Sequence, residues 1–263
     1  MTNPVLECMK NRVSLRTYDD KPVTEEELQA ILEAAMRAPT AGNQMLYSII
    51  VIRSQETKEK LSKSCDNQPF IAKAPVVLLF VADQSKWFDF YKKNGVKEFC
   101  EEKKDKGFCF EAPQESDLIL ACEDTMAAAQ NAVIAAESLG IGSCYIGDIV
   151  ENYEYPQELL NLPDYVFPLA MLCLGHYKPD HKRVFRKRFD PKFVVFEETY
   201  RRLSEAEYEE MFADECKLYR PDNPYGAHNY AQMFYARKTG AAFSKEMARS
   251  VRVALKDWDG RKL

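Results

Sequence analysis

Residues 117–148 read DLILACEDTMAAAQNAVIAAESLGIGSCYIGD, and this stretch decides the fold. From Asp117 to Leu139 alanine recurs on more than one face, and Gly140 stands where a helix would stop. Small side chains all round let neighbouring elements approach closely, so the pattern predicts a central, largely buried helix. IGSCYIG then reads as a strand and VFPLAMLCLG (166–175) as another, with a helix over 156–161 between them. Upstream, VVLLFVAD (76–83) is a continuous apolar run, as expected of a strand covered on both faces. SIIVIR (48–53) adds a strand, followed by a short helix over 56–64. Thr24 and Glu27 form a capping box that opens a helix with Leu28, Ile31, Leu32 and Ala35 at helical spacing, and Pro39 ends it. KFVVFEE (192–198) is expected to be one more short strand.

Further out the order loosens. Residues 88–115 are dense in Lys and Glu with interspersed aromatics, and read either as an exposed helical excursion or lid, or as a plain solvated insertion. The tail beyond 199 is polar and helical, with a loop-like stretch at 219–231. Met247, Val251, Ala254, Leu255 and Trp258 form an apolar stripe near its end. The sum is one α+β domain with an extended C-terminal arm. Such an arm has little to pack on within its own subunit, which points to a dimer.

Composition excludes several classes. Of 263 residues, 36 are basic and 41 acidic, mixed along the chain for a net charge of -5, so no broad basic field is available for nucleic acid. No apolar run reaches the roughly 18 to 20 residues a membrane span needs. The charged start lacks a signal peptide's apolar stretch, so a cytoplasmic protein is expected. The eight cysteines are scattered, without a CxxC pair, and His176, His181 and His228 do not fall at ligand spacing with them. Reduced thiols and no metal site are expected.

Four features bear on chemistry. In NRVSLRTY, Arg12 and Arg16 bracket Ser14, a set of donors suited to an anion and equally compatible with an exposed charged turn. RAPTAGNQM (37–45) is a tight loop whose Pro39 and Gly42 need no functional reason. The amides of Asn43 and Gln44 do call for partners. GIGSCYIGD (140–148) places three glycines in a buried strand, where backbone can approach a ligand or another strand. A helix precedes it rather than follows, which excludes a Rossmann phosphate loop. Arg186 and Arg188 in FRKRFD are a surface basic run, or the far half of a phosphate clamp with Arg12 and Arg16. No nucleophile with a base, and no carboxylate dyad, occurs among them. A cofactor that carries the reaction fits that lack.

Taken in order, NRVSLRTY, RAPTAGNQ, AAAQNAVIAAESLGIGSCYIGDI and FPLAMLCLGHY before a basic pair resemble the nitroreductase/flavin reductase family, most closely its oxygen-insensitive NADPH nitroreductase branch. The resemblance covers about 10–200. It implies an α+β, FMN-dependent nitroreductase-like fold: a central mixed sheet flanked by helices in a domain-swapped homodimer. Residues 1–200 would form the FMN-binding domain and 201–263 a helical extension packed on the partner. It implies that Arg12, Ser14 and Arg16 bind the FMN phosphate and the pyrimidine side of the flavin. Pro39, Thr40, Ala41, Asn43 and Gln44 would lie along the ribityl chain and ring from the other subunit. Gln68 would contact the flavin, Tyr145, Ile146, Gly147 and Asp148 would back the ring, and Arg186 with Arg188 would close on the phosphate.

The implied activity is ping-pong transfer of reducing equivalents from NADPH or NADH to a small electron-poor acceptor: a nitroaromatic, a quinone or free flavin. Arg16 would be an electrostatic stabiliser, with no catalytic side chain. A non-catalytic FMN-binding or sensing module, or a reductase dedicated to one metabolite, are the alternatives. Three departures from the branch stand out. Asp148 replaces a usual Gly, the basic pair reads Arg-Lys-Arg rather than Lys-Pro-Arg, and 88–115 is longer. In the tail, Arg237, Lys238, Arg249 and Arg252 could meet a 2′-phosphate or form a solvated helix face.

Overall fold

The computed structural model describes residues 2–261. In chain order it begins with α1 (Pro4–Asn11), α2 (Glu25–Met36), β1 (Tyr47–Ile52), α3 (Gln55–Ser64), α4 (Pro69–Lys73) and β2 (Val76–Asp83). Then come α5 (Ser85–Lys93), α6 (Val96–Glu102), α7 (Glu115–Ser138), β3 (Ile141–Ile146), α8 (Glu154–Leu159) and β4 (Val166–His176). The remainder is helical: α9 (Glu205–Cys216), α10 (Tyr230–Arg237) and α11 (Ala242–Ala254). The chain divides into two compact units. One runs to Arg183 and resumes at Glu246, and Val184–Lys245 form the other.

The sheet belongs to the first unit and has the order β1-β2-β4-β3. Its named strands pair antiparallel, and the parallel component is a bridge between Ser14 and Ser143 on the outer edge of β3. β2 is interior because all eight of its residues are buried, and the apolar run Val76–Ala82 is stable only with cover on both faces. Val76, Leu78 and Phe80 face Leu28 and Ile31 of α2 and Ala128, Ala132 and Val133 of α7. Val77, Leu79 and Val81 turn to the other layer, with Leu15, Leu61, Ile71 and Trp258. Each such Leu, Val or Phe contributes about 1.5–3 kcal/mol of burial. Between Phe80 and Val81 the register with β4 slips, opposite Pro168, a residue that cannot donate to a ladder and so sits at the irregularity.

α7 is the expected central helix, starting two residues earlier. Its small side chains let it lie on β2, and Gly140 takes the left-handed φ of 75° that ends it. The capping box of α2 is present, with Thr24 and Glu27 each bonding the other's backbone N–H. Residues 85–106 form the helical excursion as α5, α6 and a short turn, pinned by buried Phe88 against Phe110 and Tyr165.

Two expectations change, and one helix is additional. Residues 192–198 are not a strand: the Asp190 side chain caps the Lys192 N–H, Pro191 follows it, and Pro191–Phe193 turns as a 3-10 helix. Val194 and Val195 are then left exposed, and among the described residues this segment pairs with no strand. The tail is not one extension from 201. Ala254 and Trp258 are buried in the first unit's core, Trp258 edge-on to Tyr165, so the separate unit ends at Lys245. The helix α1 was not expected at all. It starts from Asn3, whose side chain accepts the Leu6 N–H, with Pro4 in its first turn.

Candidate functional site

The segment after α1 explains why Arg12, Ser14 and Arg16 act together. It is extended, so alternate side chains take opposite faces. Val13 and Leu15 point into the core, and Arg12, Ser14 and Arg16 remain on the other face, half-buried or exposed. The Leu15 N–H donates to the Ser143 carbonyl at 2.9 Å, which seats the segment along β3. Seating it there requires Gly142. A Cβ on that residue would lie 2.5 Å from Leu15 Cδ2 and 2.8 Å from Tyr177 Cζ. Directly opposite on β4, Gly175 makes the same room for Tyr18. The glycines of this strand pair therefore serve a neighbouring segment of chain.

All three polar side chains act on Cys144 in the middle of β3. Burial pushes its thiol up, and Arg16, Ser14 and Arg12 pull the other way, while Asp148 raises it. The Tyr145 ring packs toward the α2–α7 layer; burial pushes its phenol up to about 12, opposed by Arg12, and its hydroxyl meets no partner among the described residues. The Ile146 side chain is in the core, so only its backbone can face a ligand. Gly147 is exposed with open space around its Cα, and Asp148 starts a short turn.

Gln68 reaches this stretch from a different part of the chain. Asp66 and Asn67 both adopt left-handed φ, 55° and 50°, a strained pair that turns the chain sharply before α4. Gln68 Nε2 then donates to Asp148 Oδ2 at 2.7 Å and to the Cys65 carbonyl at 3.0 Å. Two residues on, Phe70 lies under the Arg16 guanidinium at 5.6 Å. Arg16, Lys58, Lys73 and Lys178 border a cleft of about 720 Å³ together with Asp19 and Asp20, so the site opens onto a recess of mixed charge with basic groups in excess.

Glu151 is buried beside Asp148, and its Oε1 meets no donor among the described residues. Burial first, and then the charges of Asp148 and Asp66, push its carboxyl from 4.5 up to about 7. The folded protein therefore keeps a proton that the unfolded chain releases. That contribution is complete below about pH 4.5 and is lost as pH rises through about 7. Stability in urea is expected to fall between pH 5.5 and pH 8. Glu151→Gln should flatten that slope and be the more stable protein at pH 8, by on the order of 2 kcal/mol. A wild-type protein with equal midpoints at the two pH values would contradict this.

The loop with Pro39, Thr40, Ala41, Asn43 and Gln44 sits elsewhere. It leads into β1, one edge of the sheet, whereas Arg12–Arg16 border β3, the other edge. Three strand spacings separate the edges, about 14 Å. The loop is held by Asp124 of α7, which accepts from the Thr40 hydroxyl, from Ala41 N at 3.0 Å and from Leu46 N at 3.3 Å. Thr40 Oγ1 accepts from Met45 N in turn, and Trp87 donates to the Gln44 carbonyl at 2.8 Å. Gly42, Asn43 and Met45 all have φ between 50° and 60°. The polar atoms of Thr40 and Ala41 are thus engaged within the chain, and the side-chain amides of Asn43 and Gln44 stay free of partners among the described residues.

Arg186 and Arg188 lie in the second unit and are exposed. Between them Lys187 pairs with Asp214, and Lys192 pairs with Glu210 at 2.5 Å, which leaves the two arginines without an acidic partner among the described residues. Arg249 is otherwise engaged, bound by Glu154 and Glu246 at 2.7 and 2.8 Å. Sequence reasoning missed Asp124, because the adjacent Glu123 and the other acids of α7 give no sign of which one is buried and must have donors to satisfy it. It also missed Glu151 and the lysines of the cleft, which no local pattern marks.

Comparison with known proteins gives the family. A profile described as the Nitroreductase family matches residues 9–176. An FMN reductase (NAD(P)H) of Bacillus subtilis is 36% identical over 198 residues, 75% of each chain. An oxygen-insensitive NADPH nitroreductase of Salmonella typhimurium is 32% identical over 217 residues, 81% of this chain and 82% of that one. The solved structure of the hypothetical oxidoreductase YcnD from Bacillus subtilis superposes with a TM-score of 0.76 at 28% identity, over 99% of this chain and 100% of that one. With the profile spanning more than half its length, this chain belongs to the nitroreductase family.

Proposed function

We propose that this protein is an FMN-dependent oxidoreductase. It takes reducing equivalents from NADPH or NADH and passes them, in a ping-pong cycle, to small electron-poor acceptors such as nitroaromatics, quinones or free flavin. The observation that carries the reading is the convergence of Arg12, Ser14 and Arg16 around Cys144, beside the Tyr145–Asp148 turn and Gln68. The residues present fit FMN. Two guanidinium groups and a hydroxyl on one open face suit a phosphate and a pyrimidine edge. The free amides of Asn43 and Gln44 offer donors and acceptors for a polar chain. When bound, FMN supplies the acceptance and onward delivery of a hydride. Arg16 stabilises negative charge gathered at the pyrimidine edge, a preorganised electrostatic role. Tyr145, Ile146 and Gly147 back the ring through main chain.

A homodimer completes the site in this reading. One protomer supplies Arg12, Ser14, Arg16, Gln68 and the 145–148 turn, and the other supplies Pro39, Thr40, Ala41, Asn43 and Gln44. The separation of the two groups on opposite sheet edges supports this, as do the exposed apolar side chains of Val5, Leu6 and Met9 on α1 and Ile119 and Met126 on α7. The second unit, Val184–Lys245, is the segment assigned to the partner, and 88–115 is assigned as a lid. Eight free thiols fit a reducing cytoplasm, and no described helix is long and apolar enough to cross a membrane.

The visible spectrum before and after anaerobic NADPH tests the reading. A flavin band that bleaches is expected, and Arg16→Ala should weaken FMN binding by about tenfold or more, as loss of a charge-assisted hydrogen bond does. A band that persists in NADPH would favour the non-catalytic binding module. No flavin, retained or taken up, overturns the reading.

A further inference from the structure

We propose that Asp148 is a positioning residue for the flavin, acting through Gln68, and that its charge, shared with Glu151, sets how readily the bound flavin is reduced. This rests on the FMN reading above and goes beyond it to the carboxylate of a residue that stands where the resembling branch has Gly. A Gly at this position could make neither interaction.

The geometry begins with the Gln68 amide. Its nitrogen carries two hydrogens, and both are used: one on Asp148 Oδ2 at 2.7 Å, the other on the Cys65 carbonyl at 3.0 Å. Flipping the amide would put Oε1 against a carboxylate and a carbonyl, losing two hydrogen bonds and setting acceptors against each other. Asp148 therefore locks the amide with Oε1 as the end left for a ligand, and Oε1 meets no donor among the described residues. With no carboxylate at 148 the nitrogen would hold one partner instead of two, and the amide could present either end.

The second part is charge. Asp148 stands in an acidic enclosure built from several elements: Glu151 just after its own turn, Asp66 from the bend before α4, and Glu246 from α11. The charge of Asp148 raises both the buried Cys65 and Cys144 thiols, and Arg16 opposes it at Cys144. Glu246 is tied to Arg249, which also holds Glu154. Glu151 has an unpartnered buried oxygen and loses its proton at about pH 7, so the enclosure gains a charge near neutrality. A negative group beside the flavin opposes the negative charge that reduction brings, and so lowers the potential.

The test uses the FMN-loaded protein and reads FMN affinity and midpoint potential. Asp148→Ala is expected to weaken binding of oxidised FMN about tenfold. In a Gln68→Ala background the same substitution should add no further loss, since the effect passes through that amide. Asp148→Asn keeps an acceptor oxygen and should rescue the affinity. It should also raise the midpoint potential, with the preference for reduced over oxidised FMN shifted about tenfold, or about 30 mV for a two-electron couple. Glu151→Gln should raise the potential at pH 8 and leave it unchanged at pH 5.5. A full loss on Asp148→Ala in the Gln68→Ala background, or potentials of both variants equal to wild type at pH 8, overturns the proposal. Failure of the wild-type protein to bind FMN overturns the parent reading and this inference with it.

Discussion

Replacing Asp124 by alanine is expected to destabilise the protein by about 3–5 kcal/mol and to release the 39–46 loop. Asp124 is buried in the middle of α7 and satisfies three donors from one short segment: the Thr40 hydroxyl, Ala41 N and Leu46 N. Removing the carboxylate orphans those donors where water reaches poorly, and each costs about 1–3 kcal/mol when left unmade. The loop cannot easily compensate, because Gly42, Asn43 and Met45 are already left-handed and hold that shape against their own preference. Asp124→Asn keeps one acceptor oxygen and should cost about half as much. Urea unfolding gives the stability, and amide exchange at Ala41 and Leu46 gives the local effect. If Asp124→Ala stays within 1 kcal/mol of wild type, the carboxylate is not what holds the loop. On the FMN reading, the same variant should lose flavin affinity without any change to Arg12, Ser14 or Arg16. That would separate loop disorder from loss of the phosphate contacts.

Asp124 also illustrates what sequence can and cannot convey. The main layers were legible because their patterns are local. VVLLFVAD needs cover on both faces wherever it is placed, and it became an interior strand buried at every position. The Thr24–Glu27 box needs only three intervening bonds to form, and it formed. Arg12, Ser14 and Arg16 were picked out for their chemistry, and the alternation that puts them on one face was already present in the sequence. Other features depend on what lies across the fold. The reach of Asp124 to the 40–46 loop spans some 80 residues of chain, and the contact of Asp148 with Gln68 another 80. No window of sequence contains both ends.

The expectations that changed have equally physical reasons. Residues 192–198 have strand composition, but a strand needs a hydrogen-bonding edge, and Asp190–Pro191 starts a turn instead. The helix α1 buries none of its residues, so its short apolar stripe of Val5, Leu6 and Met9 meets no core in the chain, and its Asn-Pro start is its clearest local mark. Gly142 and Gly147 were seen together as a way for backbone to approach a partner, yet one is hemmed in and the other is open. The sequence contains no sign of which is which.

That difference yields a prediction of comparable size. Gly142→Ala is expected to cost about 1–3 kcal/mol through overpacking and to weaken FMN binding with it. The added Cβ would stand 2.5 Å from Leu15 Cδ2 and 2.8 Å from both Leu15 Cβ and Tyr177 Cζ, closer than real contacts allow. Leu15 cannot retreat, because it is fully buried and its N–H is bonded to the Ser143 carbonyl. The strain should therefore move the backbone of 12–16 away from β3, taking Arg12, Ser14 and Arg16 with it. Gly147→Ala makes the control for stability: its surroundings are open and its φ of -81° suits any residue, so its melting temperature should equal or slightly exceed wild type. Leu15→Ala carries a cavity cost by itself, yet combined with Gly142→Ala it removes the clashing atoms, so the double variant should be more stable than the two separate losses add up to. Simple additivity of the two would mean that Gly142 is needed for some reason other than room for Leu15.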